Sequence, residues 1–169
     1  MLIINNRRSI RKYSNKDVNK EDIIKILRAS MQAPSARNQK PWEFLVVKDK
    51  EKLVKCSEEL PNTKMLKEAN FAIVYMTDKR DLTTPLMYPQ DLSAAILNGL
   101  LEATHLNIGS CWCGIYPNEE RMQKVREIFG INKDYLEPFA VVSFGYPLDD
   151  EDFKFIDRFD ESKIHFEVL

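Results

Sequence analysis

The chain has 169 residues, 44% of them hydrophobic and 30% charged, with a formal net charge of −1. That length fits one domain, residues 1–169, whose own core buries about 70% of the surface the unfolded chain exposes, so stability requires neither disulfide nor metal. Near-neutral charge excludes bulk electrostatic attraction to nucleic acid or an anionic membrane.

Met1-Leu2-Ile3-Ile4 is too short for a signal-peptide core, and Asn5, Asn6, Arg7 and Arg8 follow at once. No apolar run is long enough to span a bilayer. The basic start is balanced by Asp149, Asp150, Glu151 and Asp152 near the other end. Cys56, Cys111 and Cys113 make an odd count without framework spacing, which fits reduced thiols of a cytoplasmic protein.

Ile23, Ile26, Leu27 and Met31 recur at helical spacing and predict a helix over residues 19–32. Asn19 suits its N-cap, Glu21 and Asp22 its first turn, and Val18 with Ile23 a hydrophobic staple; Pro34 ends it. Glu43 to Lys48 reads as a strand, Lys50 to Leu60 as a short amphipathic helix, and Phe71 to Thr77 as a buried strand. Residues 78–90 read as a loop. Asp91 to Leu106, apolar nearly all round, reads as a central buried helix. Gly109 to Cys113 follows as a short strand, Glu119 to Phe129 as a helix capped by Asn118, and Phe139 to Phe144 as a strand closed by Gly145-Tyr146-Pro147. At the end Ile164, Phe166 and Val168 alternate with His165 and Glu167, a strand pattern whose partner lies in this chain or in a second subunit. Interleaved strands and helices give a mixed α/β layering without repeats.

Five glycines, Gly99, Gly109, Gly114, Gly130 and Gly145, yield neither a GxGxxG motif nor a Walker loop. A bound phosphate therefore falls to side chains. Arg7, Arg8, Ser9 and Arg11 offer guanidinium forks and a hydroxyl within five residues, although taken alone the run reads first as a solvated basic start. Pro34 to Trp42 gathers small polar groups between two prolines and a tryptophan. It serves either as a plain turn or as a binder for the edge of a heterocycle. Cys111 and Cys113 lack the spacing and partners of a zinc site, so no metal is expected; a thiol nucleophile has no histidine placed beside it. Two small buried residues of a core strand fit them best. Gly114, after that strand, allows a ligand close to the backbone.

These pieces, in this order, resemble the FMN-dependent nitroreductase family. Arg7-Arg8-Ser9-x-Arg11, then Pro34-Ser35-x-x-Asn38-x-x-Pro41-Trp42, then Gly109-Ser110-Cys111-Trp112, then Arg158-x-Asp160-Glu161-x-x-Ile164-His165 carry the likeness from about Arg7 to Phe166. The resemblance implies an α+β fold with a mixed, mainly antiparallel sheet flanked by helices. It implies a homodimer whose C-terminal segment extends across the partner subunit. Arg7, Arg8 and Ser9 would take the FMN phosphate and ribityl end, Arg11 the pyrimidine edge, and Arg158 would close on the phosphate. Pro34, Ser35, Ala36 and Asn38 would come from the other subunit. Lys64, with Asn62, would face the polar edge of the ring, and Cys113, Gly114 and Ile115 would present backbone toward it. No catalytic acid or base is implied, since a cation such as Arg11 favours the reduced, negatively charged flavin. NADH or NADPH would be the donor, and a nitroaromatic, quinone or similar conjugated compound the acceptor. Met87, Tyr88 and Tyr116 are candidate pocket walls, or simply packing residues. The loop from Lys79 to Gln90 is brief for the family. Two other readings stay open: a relative acting on flavin itself or on halogenated aromatics, and a flavin-binding module without turnover.

Overall fold

Helices on both faces of a four-stranded sheet make up the chain, in a computed structural model that describes residues 2–149 and 153–168. Asp150, Glu151 and Asp152 of the acidic run, and Met1, lie outside the described residues. The strands are β1 (Trp42–Val47), β2 (Phe71–Asp78), β3 (Gly109–Gly114) and β4 (Leu136–Gly145), in the spatial order β1-β2-β4-β3 with every pairing antiparallel. The helices are α1 (Leu2–Asn6), α2 (Lys20–Met31), α3 (Lys50–Glu59), α4 (Tyr88–His105) and α5 (Glu119–Phe129).

Strand alternation splits the core in two. Phe71, Ile73 and Tyr75 of β2 face Ile23 and Ile26 of α2 and Leu92, Ile96 and Leu100 of α4. Ala72, Val74 and Met76 face the other way, against Leu53 of α3 and Val125 and Ile128 of α5. Both faces of β2 are covered, which is why its sequence is apolar without alternation.

Most expected elements appear within a residue or two of their place. Asn19 caps α2 by accepting the Asp22 amide at 2.8 Å, and Val18 and Ile23 join one buried cluster. Helix α4 starts at Tyr88 rather than Asp91, because Pro89 is preorganised for a first turn and lacks the amide that turn leaves unpaired. Residues 78–90 are consequently no plain loop: Pro85–Met87 forms a 3-10 turn that leads into α4. Strand β4 extends back through Pro138, where an irregularity between Tyr75 and Met76 of β2 accommodates a residue that cannot donate.

One expectation fails. Helix α4 is not buried all round: Leu92, Ala95, Ile96 and Leu100 face the core, but Leu97 is 45% exposed. In the alternating C-terminal stretch Glu161–Lys163 forms a 3-10 turn, and the chain beyond it pairs with no strand of this chain among the described residues, leaving Phe166 84% exposed. Of the two expected partners, a strand of the same chain is not the one it meets.

Candidate flavin site

The N-terminal segment is fixed by the free edge of β3. The Ile10 amide donates to the Ser110 carbonyl at 2.9 Å, forming a parallel bridge between Ser9 and Ser110. Ile10 and Tyr13 are buried, and the Tyr13 hydroxyl bonds to the Ile10 carbonyl (2.7 Å) and to Ser143 Oγ (2.8 Å). Gly109 makes this docking possible: a Cβ there would stand 2.7 Å from Ile10 Cγ2.

Docked in this way, Arg7, Arg8, Ser9, Ile10 and Arg11 line a cavity of about 370 Å³, and Arg158 closes it from the C-terminal segment. Phe155 and Phe159 border an adjoining cavity with Arg7 and Arg8, so the two chain ends meet here. Arg8 donates from Nη1 to the Arg7 carbonyl at 2.7 Å. Its Nε and Nη2 are buried without a protein partner, as is Ser110 Oγ. A buried guanidinium edge with two unused donors is unfavourable unless an anion accepts both, and a phosphate has that geometry.

Gly114 ends β3 and is exposed, and a Cβ there would meet nothing within 4 Å. Since the Ser110 carbonyl points to the free edge, strand alternation turns the backbone of Gly114 to that edge too. Ile115 differs: it is buried, its amide donates to the Phe139 carbonyl and its carbonyl accepts from Asn118. Cys113 is buried beside the turn that carries Lys64, its sulfur 3.4 Å from the Asn62 carbonyl; Lys64 itself is exposed. The structure thus gathers Arg7, Arg8, Ser9, Arg11 and Arg158 at one cavity, and sets Cys113, Gly114 and the Lys64 turn along the same strand edge.

Pro34, Ser35, Ala36 and Asn38 sit elsewhere. Their loop leads into β1, at the opposite edge of the sheet from β3. Arg37, Asn38 and Lys40 all have left-handed backbone (φ 48°, 56° and 47°). That conformation costs roughly 1–2 kcal/mol for a residue such as arginine or lysine, and such strain clusters at functional segments. Buried Asp91 in the first turn of α4 holds the loop: its carboxylate accepts the Ala36 amide at 2.8 Å and the Gln39 side-chain amide at 2.6 Å. Gln39 also accepts the Thr84 amide at 3.0 Å. From the sequence Asp91 reads only as the start of a helix and Ser110 only as part of a motif; the signal for Asp91 is an acid opening an otherwise apolar helix.

Of the candidate pocket walls, Tyr88 and Tyr116 are engaged in packing. Their rings meet edge-on at 5.6 Å, and Tyr116 stacks on Phe139 at 5.5 Å. The Tyr88 hydroxyl donates to Glu137 at 2.5 Å, and Lys79 pairs with the same carboxylate. Burial works to raise the Glu137 pKa, but the Tyr88 hydrogen bond and Lys79 outweigh it and hold the carboxyl below its ordinary range. Met87 stays partly open beside Leu86, which is 92% exposed.

A basic cavity built from side chains on an antiparallel α+β sheet sets this fold apart from Rossmann and P-loop folds, which hold phosphate on glycine-rich backbone. Comparison with known proteins places it: the Nitroreductase family profile matches residues 4–61 and 52–146, and the chain belongs to that family. A relative from Archaeoglobus fulgidus, provisionally named an NADH dehydrogenase/NAD(P)H nitroreductase, is 49% identical over 98% of this chain and 95% of its own length. The crystal structure of a provisionally named NADH oxidase from Clostridium acetobutylicum superposes with a TM-score of 0.94 at 49% identity, covering 99% of both chains. An FMN-dependent nitroreductase from Clostridium difficile superposes with a TM-score of 0.87 at 31% identity, covering 99% of this chain and 98% of its own.

Proposed function

We propose that two copies of this chain form a homodimer that binds FMN at two equivalent sites and transfers hydride equivalents from NADH or NADPH to a nitroaromatic, quinone or related conjugated acceptor. The buried, unpartnered edge of Arg8 carries this reading, because it asks for an oxyanion in the cavity that Arg7, Ser9, Arg11 and Arg158 share. Arg7, Arg8, Ser9 and Arg158 would hold the phosphate end of FMN. Bound FMN supplies a ring that accepts hydride from the donor and returns it to the acceptor. Arg11 stabilises the negative charge that reduction puts on the pyrimidine side, and Lys64 adds to it. The backbone of Gly114 orients the ring, and the absence of a Cβ lets it approach; Cys113 and Ile115 keep that strand end rigid.

Two observations favour the dimer. The loop with Pro34, Ser35, Ala36 and Asn38 lies across the sheet from the arginines, so one copy alone does not enclose a ligand between them. Exposed apolar residues remain on α2, α4 and the C-terminal segment, among them Ile24, Met31, Leu97, Phe159 and Phe166. A second subunit would cover them and give the extended C-terminal segment a surface to lie on.

The experiment is an FMN titration by fluorescence quenching, with molar mass measured in parallel. A dimer binding one FMN per chain is expected. In Arg8→Met, which keeps the apolar stem, loss of a charge-assisted hydrogen bond of about 1.5–3 kcal/mol raises Kd roughly ten- to hundredfold. Unfolding of the flavin-free variant should occur at the same or a higher temperature, since a buried unpaired charge is removed. A monomer without FMN affinity, or an Arg8→Met variant that binds as the wild type does, would contradict the assignment.

A further inference from the structure

Three sulfur atoms that the flavin reading leaves unused converge on one face of β3. Cys111 and Cys113, two residues apart on a strand, point to the same side. There they join Ile10, Tyr13, Ala69 and Met65 in a buried cluster, and each cysteine is 3% exposed. Met65 arrives from the 3-10 turn Lys64–Lys67, and its Sδ lies 3.6 Å from Cys113 Sγ. The Cys113 sulfur also lies 4.0 Å from the Cys111 carbonyl oxygen.

We propose that Cys111, Cys113 and Met65 form a binding site for a soft monovalent metal cation of the copper(I) or silver(I) class. Thiolates with a thioether are the donors that select such ions over hard or borderline ones. Three sulfurs about 2.3 Å from a shared metal in a trigonal plane stand roughly 4 Å apart. The Cys113–Met65 pair is already near that spacing, and long, unbranched Met65 can adjust. The environment also fits electrically. A monovalent cation on two thiolates leaves one negative charge, and Arg11 beside Cys111 offsets it. Binding is a displacement without redox change: the cation forms one bond to each thiolate and a dative bond to the Met65 thioether, the two thiol S–H bonds break, and both protons go to solvent. Tyr13 and Cys56 are the other titratable groups near the pair, and both thiols raise the Tyr13 pKa further. Cys56, in α3, lies on the same face of the sheet but packs in the neighbouring core cluster with Val74 and Val141.

The test is anaerobic competition for Cu(I) between the reduced full-length protein and a coloured Cu(I) chelator, read as chelator bleaching and independent of flavin content. One Cu(I) per chain should be withdrawn. Cys113→Ser should lose more than the roughly 10- to 100-fold that removal of an outer-shell partner costs. Met65→Leu, which conserves core volume, should weaken binding by a smaller factor, and Cys56→Ser should bind as the wild type does. No transfer from the chelator, undiminished binding in Cys113→Ser or Met65→Leu, or loss confined to Cys56→Ser would overturn the site.

Discussion

Arg8 and Asp91 are two charged groups held out of water for different reasons. Arg8 keeps two donors unpaired, as a ligand-binding group does before its ligand arrives. Asp91 is satisfied within the chain and spends both oxygens on the loop from Ala36 to Lys40. It positions; it does not bind. Asp91→Asn would set one amide against another, at Gln39, and leave a buried donor unmatched, a loss of about 1–3 kcal/mol. The loop, already strained at Arg37 and Lys40, should then open, so limited trypsinolysis should cleave after Arg37 or Lys40 at least several times faster than in the wild type. Equal cleavage rates would show that Asp91 does not restrain the loop. Glu137 gives a pH-dependent prediction. Its folded pKa lies below the ordinary 4.5, so it contributes stability above that value and loses it as pH falls through the folded pKa. Glu137→Gln should therefore lower Tm at neutral pH but leave it unchanged well below pH 4.5. A constant difference at all pH values would mean that the Tyr88 and Lys79 contacts do not depend on the charge.

At the scale of elements, β3 is a docking edge as well as a core strand. Its two end glycines make opposite predictions. A Cβ at Gly109 would press into Ile10, so Gly109→Ala should cost about 1–3 kcal/mol through overpacking. It should also loosen flavin, because the arginine segment rides on Ile10. Gly114→Ala meets open space in the chain itself and should leave the flavin-free stability within about 0.5 kcal/mol of wild type, yet weaken FMN binding where the ring approaches. Thermal unfolding with and without FMN separates the two; a flavin-free protein destabilised by Gly114→Ala, or unchanged by Gly109→Ala, would contradict this. The same strand shows what the sequence could and could not reveal. Periodicity and caps located α2, α3, α5 and all four strands, because those signals are local. Nothing local says that Ile10 adds to β3, that Asp91 of α4 anchors a loop 55 residues upstream, or that Met65 reaches Cys113. Those contacts follow from tertiary packing. The C-terminal alternation records which side chains are apolar, not where the ladder lies, and within this chain no described strand supplies it.

For the whole molecule, the decisive fact is that the two halves of the expected flavin site stand at opposite edges of one sheet. The arginines and Gly114 belong to the β3 edge, and Pro34, Ser35, Ala36 and Asn38 to the β1 edge. No small closure of one chain joins edges separated by two strands, each about 4.8 Å from the next. In the proposed dimer a second copy would, and the uncovered apolar residues of α2, α4 and the C-terminal segment are where it would sit. Among the described residues no helix is long and apolar enough to cross a membrane, so these residues do not form a helical membrane span. The most direct test of the account is the visible absorbance spectrum of the FMN-loaded protein, recorded without oxygen before and after addition of NADH or NADPH. The expected result is a flavin spectrum that bleaches on addition of donor and recovers when a quinone or nitroaromatic is supplied. A flavin spectrum that persists with both donors would contradict the reductase assignment and favour a flavin-binding module or a relative with other chemistry; a protein that retains no flavin after reconstitution would contradict the cofactor itself.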